Sequence, residues 1–343
     1  MNSQNQTRLI YALVFLVVIL LLAIGFMLLK NEPKSNTNNN TQQTNTENTT
    51  DTNQEETNSE DVMEEEDHTH DFATVKELLE HEDEENDNVS ISFSDDYITF
   101  TSNGIPDHET GTFPNQYNPN TISEQNYVFK VKVNPTKNTN LTETKIFGIT
   151  IGGVPFDPGT AEKDSATGWA IEAFNNLSGF GLGIDENNAH VQPSGAYHYH
   201  GIPTALFDGD SAIHSNLIGF AADGFPIYAL YGYSDTKDST SVVKEFKSSY
   251  QLKSGQRAAG EPSGSYDGTY TNDFEFVAGS GDLDQCGGIF TVTPEYPDGT
   301  YAYFLTNDFP YVPRCVFGTP DSSFETHGVG LPQGNVGGGQ FPQ

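Results

Sequence analysis

Short apolar runs separated by turn-forming residues constrain the fold of this chain more than any other feature. Between Ala189 and Phe317 these runs are rich in Phe and Tyr, and Gly, Pro, Asp and Asn stand between them. The chain contains 23 Phe, 16 Tyr, 33 Gly and 18 Pro, a composition that favours strands joined by turns over a helical bundle. We therefore predict an all-β fold, a sandwich or jelly-roll-like domain with long loops.

Residue spacing adds individual elements to this prediction. The segments Tyr127–Val133 and Lys145–Ile151 have the pattern of strands, and each is followed by turn-forming residues. Apolar residues at helical spacing predict one short helix inside the domain at Trp169–Leu177. A further short helix is predicted at Phe72–Glu80 by the same spacing.

An almost unbroken apolar segment, residues 9–29, lies near the N-terminus. As a helix it would extend about 31 Å, enough to cross the hydrocarbon core of a membrane. We expect an uncleaved signal-anchor helix, with residues 1–8 in the cytoplasm and the bulk of the chain outside the membrane. A cleaved signal peptide is the alternative, although no good cleavage site follows the apolar segment.

Residues 30–87 are expected to form a disordered acidic stalk. Asn31–Asp61 is almost entirely Asn, Thr, Gln and Glu, which cannot bury a core. The folded domain is then expected at residues 88–318, followed by a flexible Gly-rich tail at residues 319–343. The many acidic residues of the stalk either form a solvated spacer or bind cations weakly. The histidines that support the second interpretation are His68, His70 and His81.

The net charge of −33 excludes several partner classes. Nucleic acid needs basic partners, so binding to it is not expected. Charge attraction to an anionic membrane surface is excluded for the same reason. The membrane is therefore expected to contact this chain only through the N-terminal helix, while protein and glycan partners stay open.

The tetrapeptide Tyr197-His-Tyr-His200 predicts a chemical site. In a strand alternate side chains share a face, so His198 and His200 point one way and the tyrosines the other. His190 lies eight positions before His198, and Pro193, Ser194 and Gly195 between them predict a turn that brings it back.

Three imidazoles on one hairpin are typical ligands of zinc, copper or non-haem iron. We predict a transition-metal site at His190, His198 and His200, with copper or zinc as the ion. His214 is the next candidate ligand. Asp223 is a candidate ligand or an acceptor that orients a histidine, although its place before Gly224 also suits a turn.

Other functions stay open. The histidines and tyrosines could serve structure alone. Glu172 and Glu186 are possible general bases if a metal supports hydrolysis, but no nucleophile motif is present. The main alternative to metal binding is a cell-surface recognition or structural module without metal. In that module aromatic residues would form a platform for glycans or polymers; the candidates are Tyr228, Tyr231, Tyr233, Tyr266 and Tyr270. Convergence of the histidine rings would favour the metal site, and divergence would favour the module.

The two cysteines, Cys286 and Cys315, are predicted to form a disulfide, because an even count in an exported chain favours one. Two thiolate metal ligands are the alternative.

The motif at Tyr197–His200 resembles the YHYH-domain family of exported proteins, and further motifs follow in the same order over about residues 145–318. At Ala302 many members have a histidine, so a metal role for that strand is not expected here. The resemblance implies an extracytoplasmic domain but carries no established activity. The supporting motifs are Asp185–His190, Ile218–Tyr228, Ser248–Lys253, Tyr266–Thr269, Gly281–Cys286, Thr293–Tyr301 and Phe309–Cys315.

Overall fold

The computed structural model describes residues 72–174 and 181–326. The predicted membrane helix at 9–29 lies outside these residues, as do residues 1–8, most of the stalk and residues 327–343 of the tail. No helix in the described part is long and apolar enough to cross a membrane. The described chain is mostly β-sheet with few helices, as predicted. Its helices are α1 (Phe72–Glu85), α2 (Ser323–Thr326) and a 3₁₀ turn (Thr271–Asp273).

Seventeen short strands are described, and most hold two to six residues. Their shortness follows from the Gly, Pro, Asp and Asn residues that interrupt the apolar runs. The strands are β1 (Val89–Phe93), β2 (Tyr97–Ser102), β3 (Tyr127–Lys132), β4 (Thr142–Glu143), β5 (Gly148–Thr150), β6 (Pro155–Phe156), β7 (Ala189–Val191), β8 (Tyr197–Tyr199), β9 (Gly219–Ala221), β10 (Pro226–Ala229), β11 (Tyr231–Tyr233), β12 (Val243–Glu245), β13 (Tyr250–Leu252), β14 (Phe274–Phe276), β15 (Gly288–Thr291), β16 (Thr300–Leu305) and β17 (Cys315–Val316).

The largest sheet has eight strands in the order β15-β16-β10-β9-β5-β6-β8-β7. Most neighbours are antiparallel, but β10 with β16 and β6 with β8 are parallel pairs. The strands of a jelly roll are all antiparallel. Because this sheet contains two parallel pairs, it differs from the jelly-roll-like arrangement that we predicted. A second sheet, β1-β2-β3, is antiparallel, and three two-stranded ribbons complete the described strands.

The three-stranded sheet shares one apolar cluster with a face of the large sheet, where the rings of Phe100 and Phe220 lie 6.2 Å apart. Helix α1 joins the same cluster through Val75 and Leu79, both fully buried. The helix expected at Phe72–Glu80 is thus confirmed and is longer. Because it buries apolar side chains, residues 72–87 pack with the domain, although the stalk was expected to extend to residue 87.

Two further expectations need correction. The segment expected to be helical at Trp169–Leu177 is not a helix over its described part: Ala170 and Ile171 form single β-bridges with Lys163 and Tyr270, and residues 173–174 lie in a turn. The Trp169 ring packs against the Tyr270 ring, with the ring centres 5.9 Å apart. The start of the expected flexible tail is also ordered.

This ordered start of the tail is held by an aromatic contact. Phe324 of α2 is buried, and its ring lies 4.8 Å from that of Phe129. The predicted disulfide between Cys286 and Cys315 is confirmed, with the two Cα atoms 5.2 Å apart. It ties β17, which pairs with β4, to the loop before β15.

Candidate metal centre

The hairpin of β7 and β8 positions the histidines at one end of the large sheet. His190 and His198 are directly opposite each other in its antiparallel register. The turn predicted between them is present: Gly195 has a φ of +86° and donates its amide to the Gln192 carbonyl at 2.8 Å. A positive φ favours glycine because it has no Cβ. Local sequence therefore brings His190 back to β8.

The two tyrosines of β8 lie on the opposite face and are fully buried. The hydroxyl of Tyr197 donates to Asp185 Oδ2 at 2.8 Å, and the hydroxyl of Tyr199 lies 2.6 Å from His108 Nε2. These bonds hold β8 in place on the face opposite the histidines. Because side chains alternate along a strand, fixing the tyrosines also fixes the direction of the histidines.

The three imidazoles converge, as the strand alternation predicts. One nitrogen from each of His190, His198 and His200 lies within 4.8 Å of the others. The Nε2 atoms of His198 and His200 are 3.0 Å apart. Two nitrogens bound tetrahedrally to one zinc ion at normal distances are about 3.3–3.4 Å apart. The observed spacing is therefore close to that of a ligand set.

Two of the three histidines have, at their outer ring nitrogen, the kind of partner that metal-binding histidines usually have. Nδ1 of His190 lies 3.0 Å from the Leu182 carbonyl, and Nδ1 of His198 lies 3.3 Å from the Ala196 carbonyl. A proton on each Nδ1 leaves the Nε2 lone pair free to bind an ion. Nδ1 of His200 is buried without a partner among the described residues.

Burial keeps the cluster uncharged. It lowers the pKa of His198 to about 4. Burial and then the neighbouring His198 lower the pKa of His190 to about 4. Burial is also the main reason why the pKa of His200 lies well below its ordinary value, and the neighbouring His198 and His190 and then Arg314 lower it further. All three rings are therefore neutral near pH 7, which is the form that binds metals.

Asp157 links the cluster to a cleft of about 780 Å³, whose wall it lines together with Arg314. Its amide donates to the Tyr199 carbonyl at 3.0 Å, and Tyr199 stands between His198 and His200 in the chain. Its carboxylate accepts from Gln192 Nε2 at 3.2 Å. Burial raises the pKa of Asp157 to about 6. Sequence reasoning missed both residues: Asp157 belongs to none of the motifs, and Arg314 lies in the Phe309–Cys315 motif but was not considered as a site residue.

The structure does not bring His214 or Asp223 to the histidine cluster. The His214 ring is buried between Tyr228, at 5.0 Å, and Tyr233, at 4.9 Å. Asp223 lies in the turn between β9 and β10, and its Oδ2 accepts from the Tyr303 hydroxyl at 2.7 Å. In the sheet order, β5 and β6 separate β9 from β8. Three strand spacings amount to about 14 Å, too far for a shared ion.

The possible general bases are also placed elsewhere. Glu172 is buried in an ion pair with Arg314, whose Nη2 lies 2.7 Å from Glu172 Oε2. Burial raises the pKa of Glu172, and Arg314 opposes that rise. Glu186 is exposed, and its carbonyl accepts from the Thr204 hydroxyl. Neither carboxylate belongs to the group of residues that could hold an ion in the described part of the chain.

Comparison with known proteins agrees with the tetrapeptide motif. The family model described as "YHYH protein" matches residues 128–318, a range that includes the histidine hairpin, the cleft and both cysteines. No curated protein and no solved structure matches the chain.

Proposed function

This chain belongs to the YHYH protein family, and on that premise we propose that it binds a transition-metal ion through His190, His198 and His200. The convergence of the three rings carries the proposal. Neutral nitrogen ligands suit copper and zinc, and copper has the higher intrinsic affinity for such a site. With three protein ligands, a fourth position would remain for water or another ligand.

The proposal includes a location for the protein. The apolar segment at residues 9–29 would anchor the chain in the membrane and leave the YHYH domain outside the cytoplasm. Its length and the disulfide support this, since disulfides persist in oxidising compartments. Catalysis is not part of the proposal, because no described carboxylate or nucleophile joins the three histidines in one cluster.

The alternative of a recognition module without metal has less support. Of the tyrosines considered as a glycan platform, Tyr228 is fully buried, and its hydroxyl donates to Glu295 Oε2 at 2.7 Å. Tyr270 lies against the guanidinium of Arg257 at 4.7 Å. These rings stabilise the fold. The three converging histidines, by contrast, are close enough together to share one ion, and burial lowers their pKa values so that they stay neutral.

The test measures bound metal on the full chain purified in detergent. The protein is loaded separately with Zn²⁺ and Cu²⁺, desalted and analysed by mass spectrometry for metal. We expect about one tightly held ion per chain. The variant His198→Ala/His200→Ala is expected to lose it. Co²⁺ loading should give the intense visible bands of a tetrahedral site in the wild type only.

A matched control separates the cluster from histidines in the acidic N-terminal part. The variant His68→Ala/His70→Ala/His81→Ala removes three histidines outside the cluster and should keep the bound ion. Loss of the ion in this variant together with its retention in His198→Ala/His200→Ala would place binding in the acidic segment and contradict the proposal.

A further inference from the structure

Some buried polar atoms of this domain have no hydrogen-bond partner among the described residues, and two of them belong to residues that line the cleft. Among the described residues four side-chain atoms are buried and have no hydrogen-bond partner. Such atoms are rare in folded proteins and often mark an absent ion, water or ligand. One is Nδ1 of His200, in the histidine cluster. Two others, Oγ1 of Thr144 and Nε of Arg314, belong to residues that line the cleft.

The two cleft residues are neighbours across the short β4–β17 ladder. The Thr144 amide donates to the Arg314 carbonyl at 3.1 Å. The guanidinium of Arg314 is held by Glu172 at 2.7 Å and lies 5.2 Å from the centre of the Phe309 ring. Arg314 is therefore already oriented. A hydroxyl and a guanidinium N–H on two paired residues are both donors, and an oxyanion could accept a hydrogen bond from each.

The charge of the cleft points the same way. The chain carries a net charge of −33, yet the cleft lining holds three cations and two carboxylates, while Arg314 also pairs with Glu172. Lys145 and Lys163 line it and have no ion pair with any described residue. Most of the lining is otherwise apolar or uncharged, including the rings of Tyr250 and Phe309. A volume of about 780 Å³ falls in the range of small-molecule sites.

We propose that this cleft binds a small organic anion, whose phosphate or carboxylate group contacts Arg314 and Thr144 and whose apolar body lies against Tyr250 and Phe309. Lys145 and Lys163 attract the anion at the mouth. The proposal goes beyond metal binding, and each of the two can fail without the other. Asp157 lies between the two sites, because it lines the cleft and donates its amide to Tyr199 of the histidine strand.

Calorimetry on the full chain tests the proposal with phenyl phosphate, benzoate and inorganic phosphate as probes. Each titration is done with metal-free and with Zn²⁺-loaded protein. We expect phenyl phosphate to bind about tenfold more tightly than inorganic phosphate, because its ring buries apolar surface. Benzoate and phenyl phosphate together show which of the two acid groups the site prefers. Absence of binding by all three probes at about 10 mM would overturn the proposal.

Thr144→Val is the sharpest variant, because it removes the hydroxyl and keeps the shape. We expect it to weaken phenyl phosphate binding about fivefold to tenfold, while the unfolding midpoint stays equal or rises, since a buried hydroxyl without a partner is lost. The matched control is Thr142→Val, two residues earlier on β4, where the side chain is exposed, and it should bind as the wild type does. Equal affinity in the Thr144→Val protein and the wild type would contradict the proposed contact.

Two charge variants complete the test. Lys145→Gln/Lys163→Gln changes exposed residues, so it should fold normally and bind phenyl phosphate about threefold to tenfold more weakly, with a smaller dependence on salt. Its control, Lys130→Gln/Lys237→Gln, removes two exposed lysines that do not line the cleft. Equal weakening by both pairs would indicate only a general charge effect and would overturn the assignment to the cleft.

Discussion

His190 and His198 are directly opposite each other in the β7–β8 hairpin, and their ring centres lie 4.6 Å apart. This pairing converts a local sequence pattern into a three-nitrogen cluster, because His200 shares the face of His198 on the same strand. The hairpin turn and the tyrosine anchors on the other face hold the geometry. Changes at the turn should therefore affect the site without touching a histidine.

We predict that Gly195→Ala weakens both the fold and metal binding. Gly195 has a φ of +86°, and an added Cβ would meet Ser123 Cβ at 2.9 Å. The expected loss is about 2–4 kcal/mol in the free energy of unfolding, measured in urea. Gly255→Ala is the matched control, because Gly255 has a φ of +92° but open space around it. It should cost about 1–2 kcal/mol and leave bound metal unchanged. Equal losses in both variants would exclude a role for the contact with Ser123.

Metal retention should depend little on pH above about 5. Burial lowers the pKa values of His190 and His198 to about 4 in the metal-free fold. Protons therefore compete with the ion only as the pH approaches 4, whereas ordinary histidines with a pKa near 6.5 would lose it sooner. Dialysis of the Zn²⁺-loaded chain between pH 7 and 4 checks this. Release of half the zinc above pH 6 would contradict the prediction.

The buried Asp223 carboxyl, which is hydrogen-bonded to Tyr303, should make a contribution to the free energy of unfolding of the metal-free protein that increases as the pH falls. Burial raises the folded-state pKa of Asp223 to about 6, above its unfolded value of 3.8. Between these values the folded state binds more protons, so this carboxyl contributes up to ~3 kcal/mol below pH 4, which is lost as the pH rises through 6. The histidines with lowered pKa values make the free energy of unfolding decrease as the pH falls. The contribution of Asp223 must therefore be isolated by comparison with a variant that lacks this carboxyl.

For Asp223 the comparison is urea unfolding of wild type and Asp223→Asn between pH 4 and 8. The variant should lack the contribution of this carboxyl, so the difference in free energy between the two proteins should change by ~3 kcal/mol across the range. Tyr303→Phe should cost about 1–3 kcal/mol near pH 7, because the Tyr303 hydroxyl donates to the buried Asp223 carboxylate. A pH-independent difference between wild type and Asp223→Asn would refute the assignment.

Removal of the disulfide should lower stability without releasing metal. The variant Cys286→Ala/Cys315→Ala opens a loop with a sequence separation of 29 residues. The expected loss is about 3–4 kcal/mol in the free energy of unfolding. Bound metal should stay at the wild-type level, because the ligands lie in the β7–β8 hairpin. Loss of the ion from a variant that is still folded would instead support the cysteines as ligands.

The predictions for the histidine hairpin were confirmed because all the residues that determine its geometry lie in one short segment of the chain. Strand alternation predicted the shared face of His198 and His200, and the Pro193–Gly195 turn predicted the return of His190. The helix expected at Trp169–Leu177 was wrong over its described part, because helical spacing of apolar residues can also arise from irregular packing against several loops. Only the tertiary contacts distinguish these two origins.

The sequence by itself determined the strand-rich fold, the disulfide pair and the histidine hairpin, because turn residues, cysteine count and the period of a strand act over short distances. Only the tertiary structure decided which distant residues join the site. The parallel pairing of β6 with β8 brings Asp157 to the histidines, and the order of the sheet keeps His214 and Asp223 away. Strand order depends on how whole faces pack against each other, and no local spacing encodes that choice.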